Sequence, residues 1–255
     1  MPCAPHRIGG GHNAFPGSPA GPWLTDVVTD QPAAESTTLI ELDLWSDLVC
    51  PYSWVAKRRI EAAVAAFERP HDVTVRLRAF ELDPDVPVGG AVPVHDHLSM
   101  RYGGGDAGAG RLMNAKASEE AQADDLVFDW DRAVRANTFD AHRLCALAGE
   151  MGGPALRSAA VERFHSAHFR EGLALDDHEV LQRLSAECGL DERRVASVLA
   201  SEEYAEQVRA DEREAGSMGV TATPFVLANG YAALSGVKPV DDYLALLRGV
   251  ATQHV

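Results

Sequence analysis

The sequence predicts an α/β fold in which a βαβ unit and a ββα unit are separated by a long all-helical stretch. Three observations predict it. Period-2 apolar patterns near residues 40 and 75 bracket a helix-period pattern. No convincing strand occurs from about 94 to 218. Short strand patterns then return around an Asn-Gly pair at 229–230.

Ile40, Leu42 and Leu44 alternate with Glu41 and Asp43, so residues 39–45 read as a strand with one apolar face. Cys50-Pro51 follows, and proline suits the first turn of a helix. Ala56, Ile60, Val64 and Phe67 give that helix a buried face, and Pro70 ends it. Val73, Val75, Leu77 and Ala79 alternate with Thr74, Arg76 and Arg78 as a second strand. Strand, helix, strand implies a parallel pair with a right-handed crossover. Helices are then expected over 140–149, 154–170, 177–188, 191–199 and 201–215, with Gly149 and Gly189 as stops. The glycines at 103–105 and 108–110 read as a loop. A phosphate cradle would need a preceding strand and usually a lysine after it, and neither is present. Strands at 225–228 and 231–234 flank the Asn229-Gly230 turn. Pro239 opens a last helix with Val240, Tyr243, Leu244 and Leu247 on one face.

The chain has 255 residues, room for one large domain or one domain with a substantial insertion. Lys and Arg number 23 against 38 Asp and Glu, a net charge of −15. That balance argues against nucleic acid and anionic membrane surfaces as partners, since both are gripped by clustered cations. No apolar run approaches the roughly 20 residues that span a bilayer. Four scattered cysteines are too few for a disulfide framework. Residues 1–37 hold six of the 14 prolines and five of the 22 glycines, and read as a disordered tail. The tail lacks a secretory pattern, so the expected location is cytoplasmic. Its Cys3, His6 and His12 lack the spacing of a metal site.

Cys50 lies between a strand and a helix. The positive end of a helix favours thiolate, so its pKa is expected to fall below the free value. Ser53, one turn later, can donate to the same sulfur. Thr223-Pro224 immediately precedes the third strand, where a cis bond would turn its backbone groups outward.

The stretches Asp47-Leu48-Val49-Cys50-Pro51-Tyr52-Ser53-Trp54 and Gly219-Val220-Thr221-Ala222-Thr223-Pro224-Phe225 resemble the active-site helix and cis-proline loop of DsbA-like thioredoxin-fold proteins. The FrnE-like branch is the nearer match, through Lys57-Arg58-Arg59, Ala136-Asn137-Thr138, Ala141-His142-Arg143-Leu144, Tyr204, Val208 to Glu212 and Leu234-Ser235-Gly236. The resemblance implies a thioredoxin fold interrupted by an all-helical domain. The expected divisions are a tail at 1–37, a first half at 38–90, the helical insertion at 91–218 and a second half at 219–255. It also implies Cys50 and Ser53 as catalytic residues. Pro51, Tyr52, Trp54, Asn137, Thr138, His142, Thr223 and Pro224 would bind substrate.

Redox members carry a second cysteine where this chain has Ser53, and a dithiol catalyst needs that thiol to resolve the mixed disulfide. Cys145 and Cys188 sit on apolar helix stretches and read as buried. The Cys-Pro-Tyr-Ser-Trp run also resembles kappa-class glutathione transferases and 2-hydroxychromene-2-carboxylate isomerases. The Ser-Asp pair with which those hold glutathione is replaced by Leu234-Ser235-Gly236-Val237. Three readings remain open. One is a thiol enzyme that isomerises a conjugated carbonyl compound with no required cofactor. A second is a monothiol oxidoreductase resolved by a small thiol such as glutathione, and a third is a non-catalytic binding protein. The expected partner is a small molecule, free or carrier-tethered, with Lys57, Arg58 and Arg59 as the basic patch an acidic carrier would need. Candidate donors to a substrate enolate are Ser53, His142 and the Thr223 backbone. His165 and His168 have zinc-like spacing, but the surrounding pattern reads them as polar-face residues of an amphipathic helix, and no metal is expected. His95-Asp96-His97 reads as a helix start.

Overall fold

The first strand, β1 (Ile40–Ser46), is buried at all but one position, because it lies inside a four-stranded sheet of order β2-β1-β3-β4. The computed structural model describes residues 39–90 and 92–252; the expected disordered tail, with Cys3, His6 and His12, lies outside them. Strand β2 (Val73–Ala79) runs parallel to β1 in register Ile40–Val73 through Ser46–Ala79. Strands β3 (Phe225–Ala228) and β4 (Ala232–Ser235) complete the sheet antiparallel on the other side. The sequence alternation suggests a single buried face for β1, yet Asp43 on the other face is buried too. Arg76 Nε and Nη2 reach its carboxylate at 2.8 and 2.7 Å, and Arg78 Nε at 2.6 Å. Asn229 and Gly230 both take positive φ, 50° and 76°, as a tight two-residue hairpin requires. Asn229 also donates to the Glu41 carbonyl and accepts from the Glu41 N–H, both at 2.8 Å, which clasps the hairpin to β1.

The helices are α1 (Pro51–Ala66), α2 (Val94–Tyr102), α3 (Ala109–Ala121), α4 (Phe139–Glu171), α5 (His178–Glu187), α6 (Glu192–Leu199), α7 (Ala205–Ser217) and α8 (Val240–Thr252). Helix α2 starts where His95-Asp96-His97 suggests a helix start, whereas α3 is absent from the sequence expectation. They pack through small residues rather than an apolar stripe: a Cβ on Gly110 would lie 1.9 Å from the His95 carbonyl oxygen. Gly103–105 form the expected loop, but Gly110 belongs to the first turn of α3. The helices expected over 140–149 and 154–170 are the two arms of α4. They break at Gly152 and Gly153 (φ −141° and +69°) rather than at Gly149, and Pro154 opens the second arm. Asp177 and Asp191 cap α5 and α6 by accepting backbone N–H bonds, as their positions suggest. Helix α7 begins at Ala205 rather than 201, because Arg143 gathers the carbonyls of Val198, Ser201 and Glu203 into a turn.

One apolar core runs from Leu42, Leu44 and Val226 of the sheet through Ile60 of α1 to Leu144, Phe164, Leu181 and Val195 of the helices. A second cluster, Trp54, Val55, Ala117, Ala121, Leu126, Phe128 and Phe169, joins α1 to α3 and the end of α4. Asp211 of α7 docks that helix on β2, accepting from Ala79 N at 3.0 Å and Arg78 Nη1 at 2.9 Å.

Helix α1 is held from two sides. Glu162 of α4 takes the Trp54 indole N–H at 2.9 Å, Lys57 Nζ at 3.1 Å and Arg58 Nη2 at 2.6 Å. Arg59 reaches Glu120 at 2.7 Å and Asp124 at 2.9 Å. The expected basic patch therefore does not exist as a docking surface: Lys57 and Arg59 are buried, and all three cations are paired with carboxylates. Burial pushes the Glu162 carboxyl up, but Lys57, Trp54 and Arg58 together hold it below its ordinary value. Its stabilisation is thus present above the ordinary carboxylate range and lost as pH falls through the depressed value. Glu162→Ala should lower the free energy of unfolding by roughly 2 kcal/mol at pH 7. In urea titrations the gap between variant and parent should close below about pH 4.

Candidate active site

The chain leaves β1 at Ser46, turns through Asp47-Leu48-Val49, and enters α1 with Cys50 as its N-cap and Pro51 in its first turn. Asp47, which sequence reasoning quoted but gave no role, organises the turn. It accepts from Leu82 N at 2.7 Å and Val49 N at 3.4 Å, and its Oδ1 lies 3.6 Å from His142 Nε2. Burial alone would raise its pKa; the His142 contact and the backbone bond of Leu82 hold it below the ordinary value, so Asp47 is a buried anion. An acidic residue between a strand end and an apolar Leu-Val pair was the available signal.

Cys50 is 3% exposed, and its thiol donates to the Thr223 carbonyl at 3.6 Å. The Thr223–Pro224 bond is cis, and Gly236 N holds that loop by donating to the Pro224 carbonyl at 2.9 Å. The hydroxyls of Ser53 and Thr223 are both close enough to stabilise charge on the sulfur. Neither makes a formed hydrogen bond in the resting structure. The low thiolate pKa expected from the helix end is corrected. Burial pushes the Cys50 thiol up and the Asp47 charge adds to it, outweighing the two hydroxyls and the Ser53 N–H. No first-turn N–H caps the sulfur; the N–H of Ser53 bonds the Cys50 carbonyl at 3.1 Å. Desolvating a charge costs several kcal/mol, against at most about 2 kcal/mol from a helix terminus.

Other expected site residues divide. Pro51 and Tyr52 are half-buried beside Cys50, and Thr138 caps α4 against Asp47. Trp54 is fully buried, bonded to Glu162 and stacked 5.7 Å from His165, so it supports α1 and cannot meet substrate. The amide of Asn137 is engaged at both ends, by the Val86 carbonyl at 3.1 Å and the Phe139 N–H at 3.0 Å; it braces the loop before α4. His142 faces Asp47, and Thr223 turns its carbonyl, an acceptor, to the sulfur. Neither is placed as the enolate donor expected of it. Behind His142 lies Glu81, pushed up to about 7 mainly by burial. Cys145 and Cys188 are free thiols, Cys145 buried in the core and pushed up to about 12 by that burial.

Beside this constellation opens a cavity walled by Val49, Leu82, Val86 and Leu98, with Asp47, His97, Tyr102, Arg135, Thr138 and His168 also lining it. The Tyr102 phenol is close enough to feel charge on both Asp47 and Cys50. His165 and His168, expected on a polar face, are fully buried. From 160 to 169 helix α4 has no exposed residue, and burial drives the two pKa values down to about 3 and about 4. Continuous apolar residues around that arm (Val161, Phe164, Ala167, Phe169) were the missed signal.

A parallel-antiparallel sheet interrupted by helices, with a helix-capping cysteine opposite a cis-proline, defines a thioredoxin-type thiol protein. The DSBA-like thioredoxin domain family matches residues 41–248, and the chain belongs to that family. Among solved structures, a probable DsbA oxidoreductase from Streptomyces coelicolor is 33% identical, with 84% of this chain and 91% of that one covered and a TM-score of 0.77. A 2-hydroxychromene-2-carboxylate isomerase is 17% identical over 84% of this chain and 95% of that one, at a TM-score of 0.59. The cytosolic disulfide reductase DsbM from Pseudomonas aeruginosa is 18% identical over 82% and 98%, at 0.58. These last two show likeness of fold. No curated protein matches the chain.

Iodoacetamide labelling of Cys50 across pH should show a midpoint above the free-thiol value of about 8.5. Ser53→Ala and Thr223→Val should each move it further up. A midpoint at or below neutrality would contradict the neutral resting thiol.

Proposed function

We propose that the protein is a single-thiol enzyme in which Cys50 adds reversibly to a small conjugated carbonyl compound and isomerises its double bond. The observation that carries this reading is an almost sealed, unbridged thiol whose chain neighbour Val49 lines an apolar-walled cavity. A bulky protein disulfide has little access to a residue 3% exposed, and a small substrate is the better match to so enclosed a thiol. The C–S bond forms at the β-carbon while the π pair of the double bond moves to the carbonyl oxygen. The thiol proton passes to that oxygen, with the Ser53 and Thr223 hydroxyls as the relay. Rotation about the resulting single bond follows. Collapse of the enol expels the sulfur, restores the double bond and returns the proton to Cys50. Nothing is oxidised, so no cofactor or second thiol is consumed. In conjugate addition, as in disulfide exchange, the thiolate is the attacking species, so the Cys50 proton must leave as the C–S bond forms, through the two hydroxyls.

A second reading, a monothiol oxidoreductase, is favoured by the 33% identity to a probable DsbA oxidoreductase. In that cycle Cys50 thiolate attacks a small disulfide, and an added thiol such as glutathione releases the mixed disulfide.

Conversion of cis-hex-3-ene-2,5-dione to its trans isomer, followed by proton NMR, tests the first reading. The protein should accelerate it, Cys50→Ala should fall to background, and Ser53→Ala should be about 10- to 100-fold slower. No acceleration, together with thiol-dependent reduction of a small disulfide, would transfer the assignment to the second reading.

A further inference from the structure

We propose that an open cleft lined by helix α3 and residues 127–131 binds a free aromatic α-amino acid. Arg111 and Asn114 take its carboxylate, and Asp129 and Asp131 take its ammonium group. The cleft shares no lining residue with the cavity at Asp47, so this binding stands apart from the reaction assigned to Cys50.

Asn114 is the residue that points to a ligand. It is 4% exposed and lines the cleft, yet its Nδ2 makes no hydrogen bond among the described residues. A buried amide N–H without an acceptor is costly, and a ligand oxygen would satisfy it. Arg111 precedes Asn114 by three residues on α3, the spacing that puts two side chains on one helix face, and it lines the cleft too. Its Nη2 donates to His95 Nε2 at 3.0 Å, which orients the guanidinium without neutralising it. Arg111 has no carboxylate partner among the described residues. Two neighbouring donors, one of them cationic, match the two oxygens of a carboxylate.

Residues 127–131 supply the opposite charge. Asp129 and Asp131 line the same cleft, and neither carboxylate has an ion pair or hydrogen bond among the described residues. The backbone that carries them is fixed: Asp129 N–H donates to the Phe169 carbonyl at 2.7 Å, and the Asp129 carbonyl accepts from Arg132 and Ala133 N. Trp130 gives its indole N–H to Ser118 of α3 at 2.8 Å and meets Phe128 edge-on at 5.0 Å, so both cleft-lining rings are braced. These rings suit an aromatic side chain. A simple aromatic acid would bring its charge to two unpaired carboxylates, and an aromatic amine would leave Arg111 and Asn114 without an acceptor. Only a ligand carrying both groups meets every partner.

Calorimetry of L-phenylalanine against the full chain tests this. Binding is expected, and hydrocinnamate, which lacks the ammonium group, and phenethylamine, which lacks the carboxylate, should each bind about tenfold more weakly or worse. Arg111→Gln should weaken phenylalanine by a similar factor and leave phenethylamine unchanged. Asp129→Asn combined with Asp131→Asn should weaken phenylalanine and tighten hydrocinnamate. In NMR the side-chain amide signals of Asn114, identified by their loss in Asn114→Asp, should shift with phenylalanine and stay in place with phenethylamine. Should Asn114→Asp fail to fold, Asn114→Ser supplies the same identification. Three results overturn the proposal: no binding of phenylalanine at millimolar concentration, binding untouched by the Arg111 and Asp129/Asp131 variants, or hydrocinnamate binding as tightly as phenylalanine.

Discussion

Glu162 is the contact on which the position of Cys50 depends. It reaches from the second arm of α4 to one turn of α1, gripping Trp54, Lys57 and Arg58 at once. Because Cys50 caps that helix, any rotation of α1 about its axis would swing the sulfur away from the Thr223 carbonyl. The apolar cluster around Trp54 adds burial to the same joint, and the stacking of Trp54 on His165 and Phe169 fixes its angle. An ionic grip on an apolar bearing sets direction, while burial supplies most of the cohesion.

That fixed geometry places the thiol in an environment of opposing influences. The end of a helix and two hydroxyls favour charge on sulfur; burial and the Asp47 anion oppose it. The balance leaves a proton on Cys50 in the resting protein. The hydroxyls of Ser53 and Thr223 then stand as unpaired donors awaiting a developing charge, an arrangement preorganised for a transition state rather than for the ground state.

Much of this was legible in the sequence where local rules decide. The alternation of Ile40, Leu42 and Leu44, the Asn229-Gly230 turn, and Asp177 and Asp191 as caps are statements about neighbouring residues, and the structure agrees with them. So is Cys50 between strand and helix. What was not legible depends on residues far apart in the chain. Lys57 and Arg59 look like an exposed basic patch until Glu162, Glu120 and Asp124 are brought over them. Helices α2 and α3 meet through Gly110, a contact that leaves no apolar stripe to read. Periodicity assigned His165 and His168 to solvent because it cannot register a helix segment, 160–169, that long-range packing leaves with no exposed residue.

The break at Gly152-Gly153 sets the rotational phase between the two arms of α4. The first arm of α4 presents Arg143 and His142 to their partners; the second presents Glu162, His165 and His168. Each arm is internally rigid, so the angle between the two sets is fixed by how many residues occupy the break. Removing one would turn everything beyond it by about 100°. Glu162 would leave α1, and His168 would leave the cavity. The number of residues in a short glycine turn therefore sets the aim of side chains at the centre of the molecule, and length there is as constrained as identity.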